Sequence, residues 1–83
     1  MGKYEKLLLK ILQGSADTNI LFDDLRTVLK RLGFEERIRG SHHVFRKQGI
    51  IDKIVLQRDG SKAKAYQVHQ VRNVIVKYNL SGE

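Results

Sequence analysis

The sequence predicts an α+β domain in the order α-α-β-β-β-α: a three-stranded antiparallel sheet with helices on one face. Three observations lead there. Apolar residues recur at helical spacing as far as Leu32. After Gly33 the period changes to two, interrupted by two short Gly-containing turns. Beyond a loop carrying two lysines, helical spacing returns.

Each element has its own signature. Tyr4, Leu7, Leu8, Ile11 and Leu12 fall at i, i+3, i+4, i+7 and i+8, one face of a helix over Lys3 to Gln13. The polar run Gly14 to Asn19 ends it. A second stripe, Phe22, Leu25, Val28, Leu29 and Leu32, predicts a helix from Phe22 to Leu32. Asp23 and Asp24 open that helix and Lys30 and Arg31 close it, the charge order its dipole favours, and Gly33 stops it.

Phe34, Glu36 and Ile38 then alternate with Glu35, Arg37 and Arg39. Gly40-Ser41 turns the chain into a strand from His42 to Lys47. Gln48-Gly49 is a second turn, and Asp52 to Arg58 a third strand centred on Ile54-Val55-Leu56. A loop spans 59–65. In the last element, Val68, Val71, Ile75 and Tyr78 have helical spacing, although Val74-Ile75-Val76 is a β-branched run that suits a strand. About fourteen residues without a turn signal, with polar Gln67, Gln70, Arg72, Asn73 and Lys77, favour a helix.

Composition narrows the function. Eighty-three residues form one domain, 1–83. A chain this short buries only about 60–65% of its unfolded surface. No apolar run nears the roughly 20 residues that span a bilayer. The basic start before Leu7-Leu8-Leu9 has no small-residue cleavage site, so a cytoplasmic protein without a signal peptide is expected. The absence of cysteine excludes disulfides, cysteine-bearing zinc sites and thiol catalysis. A net charge of +7 on so small a surface favours a polyanion, either nucleic acid or an acidic protein.

The densest chemistry is Gly40-Ser41-His42-His43-Val44-Phe45, flanked by Arg37, Arg39, Arg46 and Lys47. Histidine takes and gives protons near neutral pH. RNA carries its own nucleophile, the 2′-hydroxyl, so a base, an acid and a cation suffice to cut it without a metal. His42 beside Arg39, Arg46 and Lys47 has that composition. Adjacent strand residues face opposite ways, so only one histidine of the pair meets a given substrate. If Phe45 lies in the core, His42 looks outward; if Val44 does, His43 does.

Other signals carry less. The three histidines make a poor metal-ligand set, and His69 reads as a surface residue. The glycines match turns and no phosphate-loop motif. Ser41 suits turn hydrogen bonding better than nucleophilic attack. Lys62, Lys64 and Tyr66 form a basic segment with one aromatic, suited to a phosphate or a base. Glu35-Glu36, the acidic spot nearby, could pair with Arg37 or position a histidine.

Leu29 to Phe34, then Gly40 to Phe45, then a short strand, a Gly/Lys loop and a helix holding Val68, Val71 and Arg72 together resemble the HicA toxin family of bacterial toxin–antitoxin pairs. The resemblance spans roughly residues 22–80. It implies a double-stranded-RNA-binding-domain-like fold, metal-independent mRNA endoribonuclease activity, no cofactor and a HicB-like antitoxin partner. It also implies that the active histidine directly follows the Gly-Ser pair, at His42. Two features depart from the family: the helix at 3–13 is additional to its shortest members, and the proline often found before the last helix is missing. The expected RNA contacts are Arg39, Gly40, Ser41, Lys47, Lys62 and Lys64. A non-catalytic RNA-binding module and a basic domain docking an acidic protein are the competing readings.

Overall fold

The computed structural model describes residues 2–58 and 60–80. Asp59, the first residue of the expected loop, lies outside them. The elements are α1 (Lys3–Gln13), a 3-10 turn (Asp17–Asn19), α2 (Phe22–Arg31), β1 (Glu35–Arg39), β2 (His42–Arg46), β3 (Ile54–Gln57) and α3 (Ala65–Lys77). The three strands form an antiparallel sheet in the order β1-β2-β3. The chain is thus the α+β arrangement expected. No helix among the described residues is long and apolar enough to cross a membrane.

The register sorts the sheet into two faces. Glu36, Ile38, His43, Phe45, Ile54 and Leu56 point toward the helices. Arg37, Arg39, His42, Val44, Arg46, Val55 and Gln57 point away. Phe45, Ile54 and Leu56 are fully buried, with Phe22, Leu25, Val28 and Leu29 of α2, Val68, Val71 and Ile75 of α3, and Ile11 of α1. Burying each such side chain contributes about 1.5–3 kcal/mol, which is how a thin core holds three layers of elements together.

The helix ends explain where the strands begin. Gly33 N–H donates to the Lys30 carbonyl at 3.1 Å and Phe34 N–H to that of Leu29 at 3.1 Å, a Schellman stop. Phe34 therefore belongs to the helix cap, and β1 starts one residue later than the alternation implied. α3 closes the same way. Asn79 sits at φ 53°, and Leu80 N–H reaches the Ile75 carbonyl at 3.0 Å. The β-branched run that suited a strand is helical, with Val74 and Ile75 buried and Val76 exposed.

The sequence-based expectation needs correction in two places. Gln48-Gly49 does turn the chain, with Gly49 at φ 88°, but the β2–β3 connection is longer than that turn. It occupies 47–53, with Ile50 N–H donating to the Lys47 carbonyl at 3.1 Å and Ile50 packed against the core. Anchoring Ile50 pulls the chain off the ladder, so β3 is shorter than Asp52 to Arg58. The run after Gly14 is also more than a polar connector. Ile20 is buried, and its carbonyl accepts from Ala63 N–H at 2.8 Å, tying the loop before α3 to α2. Arg72 of α3 clamps the 3-10 turn through Asp17 at 2.9 and 3.1 Å and reaches the Ile11 carbonyl at 3.1 Å.

Gly40-Ser41 forms the tight hairpin turn, because Arg39 and His42 are direct partners. Gly40 lies at φ 59° while Ser41 does not share the positive φ, the pattern of a type II′ turn. No atom lies near where a Cβ would project. Gly40→Ala is therefore expected to destabilise through the backbone alone, by about 1–2 kcal/mol. Urea midpoints of the two proteins measure this, and equal midpoints would contradict it.

Candidate functional site

The hairpin turn delivers the two histidines to opposite sides of the sheet. Burial of Phe45 fixes the choice that alternation left open: His42 is exposed on the outer face, and His43, 5% exposed, lies under the helices. His69 is on the exposed side of α3, as expected.

His43 is held by a closed set of contacts. Its Nδ1 is 2.7 Å from Glu36 Oε2. Glu36 also accepts two hydrogen bonds from Arg26, from Nε at 2.7 Å and from Nη2 at 2.9 Å. Arg26 reaches Asp23 at 3.0 Å, and Asp23 accepts from Arg58. The Arg58 guanidinium lies 4.6 Å from the Phe22 ring centroid, and Phe22 meets the His43 ring edge-on at 5.0 Å. Arg26, followed by His43, holds the Glu36 carboxyl down at about 2, against the opposing effect of burial. Arg58 and Arg26 likewise hold Asp23 below the usual carboxylate range.

The tautomer follows. An ionised Glu36 only accepts, so His43 Nδ1 carries the proton and, in the neutral ring, Nε2 carries the lone pair. No buried side-chain nitrogen or oxygen among the described residues lacks a partner. The second ring nitrogen, to which no hydrogen bond runs, is therefore not wholly buried, although the side chain is only 7% exposed. Glu36 does what one sequence reading allowed it: it positions a histidine.

The outer face is cationic. Arg37 and Arg39 are exposed near His42, Arg46 is exposed at the far end of β2 opposite Glu35, and among the described residues none of the three forms a salt bridge. Arg39 is the direct cross-strand partner of His42, and Arg37 lies on the same face one pair along. A depression of about 310 Å³ between Arg37, Val44, Arg46 and Glu35 continues the surface away from the turn. Among the described residues no Phe, Tyr or Trp lies on this face.

The expected contact residues are not all neighbours. Arg39, Gly40, Ser41 and His42 share the turn, and Ser41 receives a hydrogen bond from Arg58 N–H at 3.1 Å. Lys62 pairs with Leu21 through a bridge next to Phe22, at the same end of the sheet. Lys64 is the residue before α3, with its N–H bonded to Gln67 Oε1 at 3.3 Å. Lys47 is at the far end of β2, roughly 15 Å from His42 at the usual strand rise. There its ammonium lies against Gly33.

Sequence reasoning missed Arg26, Arg58 and Phe22 as neighbours of the histidine pair. A two-residue turn at Gly40-Ser41 would have placed Glu36 diagonally opposite His43, but α2 reaches them only through tertiary packing. Among the described residues no group of three or more His, Asp or Glu is placed to hold a metal ion. The chain matches no protein-family model, no curated protein and no solved structure.

Proposed function

We propose that the chain binds RNA on the outer face of its sheet and cleaves it without a metal, as a toxin of the HicA kind. The observation that carries the RNA reading is the exposed cationic face on which Arg39 pairs with His42, Arg37 follows one pair along and Arg46 stands at the far end opposite Glu35, none of the three arginines in a salt bridge among the described residues. A phosphate seated against Arg39 would lie beside the His42 imidazole, since the two are cross-strand partners. In the reaction the 2′-oxygen attacks phosphorus and the bond to the 5′-oxygen breaks. One proton leaves the 2′-hydroxyl and one reaches the departing 5′-oxygen. His42 is the group assigned to move a proton, and Arg39 stabilises charge building on the phosphoryl oxygens.

A second assignment within the same function rests on the Glu36 contact. A base oriented by a carboxylate is the arrangement that histidine catalysis uses repeatedly, and His43 has it, on the side of the sheet opposite the arginines and 5% exposed. The toxin role, the cytoplasmic setting and an acidic HicB-like antitoxin covering the cationic face rest on the resemblance carried by residues 29–34 and 40–45.

Binding is the first thing to test. Wild type is expected to bind single-stranded RNA with an affinity that falls steeply as salt rises. Replacing Arg37, Arg39 and Arg46 by alanine should weaken it and shrink the log–log salt slope by about 2, the change for three phosphate contacts to a single strand. No binding by wild type at low salt would overturn the proposal, and an unchanged slope would remove the outer face from it.

A further inference from the structure

The outer sheet face offers charge and, among its described residues, no ring but the His42 imidazole that is assigned to proton transfer. A larger exposed ring on which a base can stack lies elsewhere. Three of the six aromatic rings, Phe22, Phe34 and Phe45, are buried, and Tyr4 and Tyr78 are half-buried. Tyr66 alone is mostly exposed, at 61%. It stands on α3 over a cleft of about 350 Å³ lined with Asp52, Lys53, His69, Gln70 and Asn73. That volume lies within the range of small-ligand sites.

The polar side chains in this cleft are ordered by the helix. Tyr66, Gln70 and Asn73 fall at i, i+4 and i+7, one stripe opposite the buried Val68, Val71 and Ile75. Each amide offers a donor pair and an acceptor, the complement of a base edge. His69 Nδ1 and the Asn73 amide nitrogen are 3.5 Å apart. Lys53, exposed just before β3, brings the cleft its cation. The carboxylate there, Asp52, is already engaged: Lys77 reaches its two oxygens at 3.2 and 3.3 Å, and the Tyr78 hydroxyl donates to it at 3.0 Å.

We infer that this cleft is a nucleotide subsite that takes one unpaired base of a single-stranded RNA, stacked on Tyr66. Gln70 and Asn73 meet the base edge, and Lys53 meets the adjoining phosphate. The inference deepens the RNA reading and rests on it. It makes the substrate single-stranded, because a base inside a duplex has no free face to offer. It also divides the work, with the outer face holding the backbone and α3 holding a base.

The test is an anisotropy titration of a short single-stranded RNA against wild type, Tyr66→Ala and Tyr66→Phe, in EDTA across a salt series. Tyr66 is exposed, so neither variant should unfold the domain. Tyr66→Ala is expected to bind about 5- to 100-fold more weakly, the loss from one base stack, with the salt slope unchanged. Tyr66→Phe should keep wild-type affinity. Wild-type binding with no loss in Tyr66→Ala would overturn the subsite and leave the RNA reading standing. Were wild type to bind no RNA, adenosine 5′-monophosphate would still probe the cleft by NMR. Shifts at the Gln70 and Asn73 side-chain amides would then uphold the subsite without the RNA reading, and no shifts would end both.

Discussion

Glu36→Gln is expected to cost the fold about 3–5 kcal/mol, the range for breaking a buried ion pair from one side. The side chain of Glu36 is 5% exposed and accepts from Arg26 twice and from His43. Glutamine keeps the volume but carries no charge, and it leaves the guanidinium with Asp23 as its one remaining carboxylate among the described residues. Domains of this size have only about 4–12 kcal/mol of stability. The melting temperature should therefore fall by roughly 12–40 °C.

The pH dependence tests the same contact. The folded carboxyl titrates at about 2 against an ordinary value of 4.5, so between these values the unfolded chain binds more protons. Stability from this group is thus complete above pH 4.5, declines as pH falls and is gone below about pH 2. Its size at neutral pH is about 3 kcal/mol. Asp17, held low by Arg72, and Asp23, held low by Arg58 and Arg26, act with the same sign. The difference between wild type and Glu36→Gln isolates the Glu36 share. Urea unfolding from pH 2 to 7 measures it, and parallel curves for the two proteins would contradict the contact.

His42→Ala is expected to reduce RNA cleavage by about 10²- to 10⁴-fold, the usual worth of a general acid or base. Stability should change by no more than about 0.5 kcal/mol, because the side chain is exposed on the outer face. His43→Ala should behave differently. It strips Glu36 of a hydrogen bond and Phe22 of an edge contact, so the fold weakens as well. Its activity is meaningful only at a temperature where circular dichroism shows it folded. The two variants separate the exposed histidine from the oriented one.

Much of this architecture was legible in the residues. The stripes of α1 and α2, the stop at Gly33 and the turn at Gly40-Ser41 are local features, and local physics sets them. What stayed hidden depends on distant partners. Ile20, between the polar run and α2, belonged to no expected stripe, yet it is buried, and its carbonyl accepts from Ala63 N–H. Val74-Ile75-Val76 suited a strand, but the length of the segment and its polar residues already favoured the helix that buries Val74 and Ile75. The facing of His42 and His43 turned on whether Val44 or Phe45 enters the core, two apolar neighbours that alternation cannot rank. Glu36 was visible as a candidate partner for a histidine. Arg26, which sets its charge, lies on a different element and had no sequence signal linking the two.

Cleavage of a defined single-stranded RNA in excess EDTA, by wild type, His42→Ala and folded His43→Ala, tests the proposed activity most directly. Wild type should cut and leave a 2′,3′-cyclic phosphate end, and His42→Ala should leave the RNA intact. Loss of activity only in His43→Ala would transfer the proton-moving role to the Glu36-oriented ring. Intact RNA with wild type, under conditions where it binds, would contradict cleavage altogether and leave an RNA-binding domain.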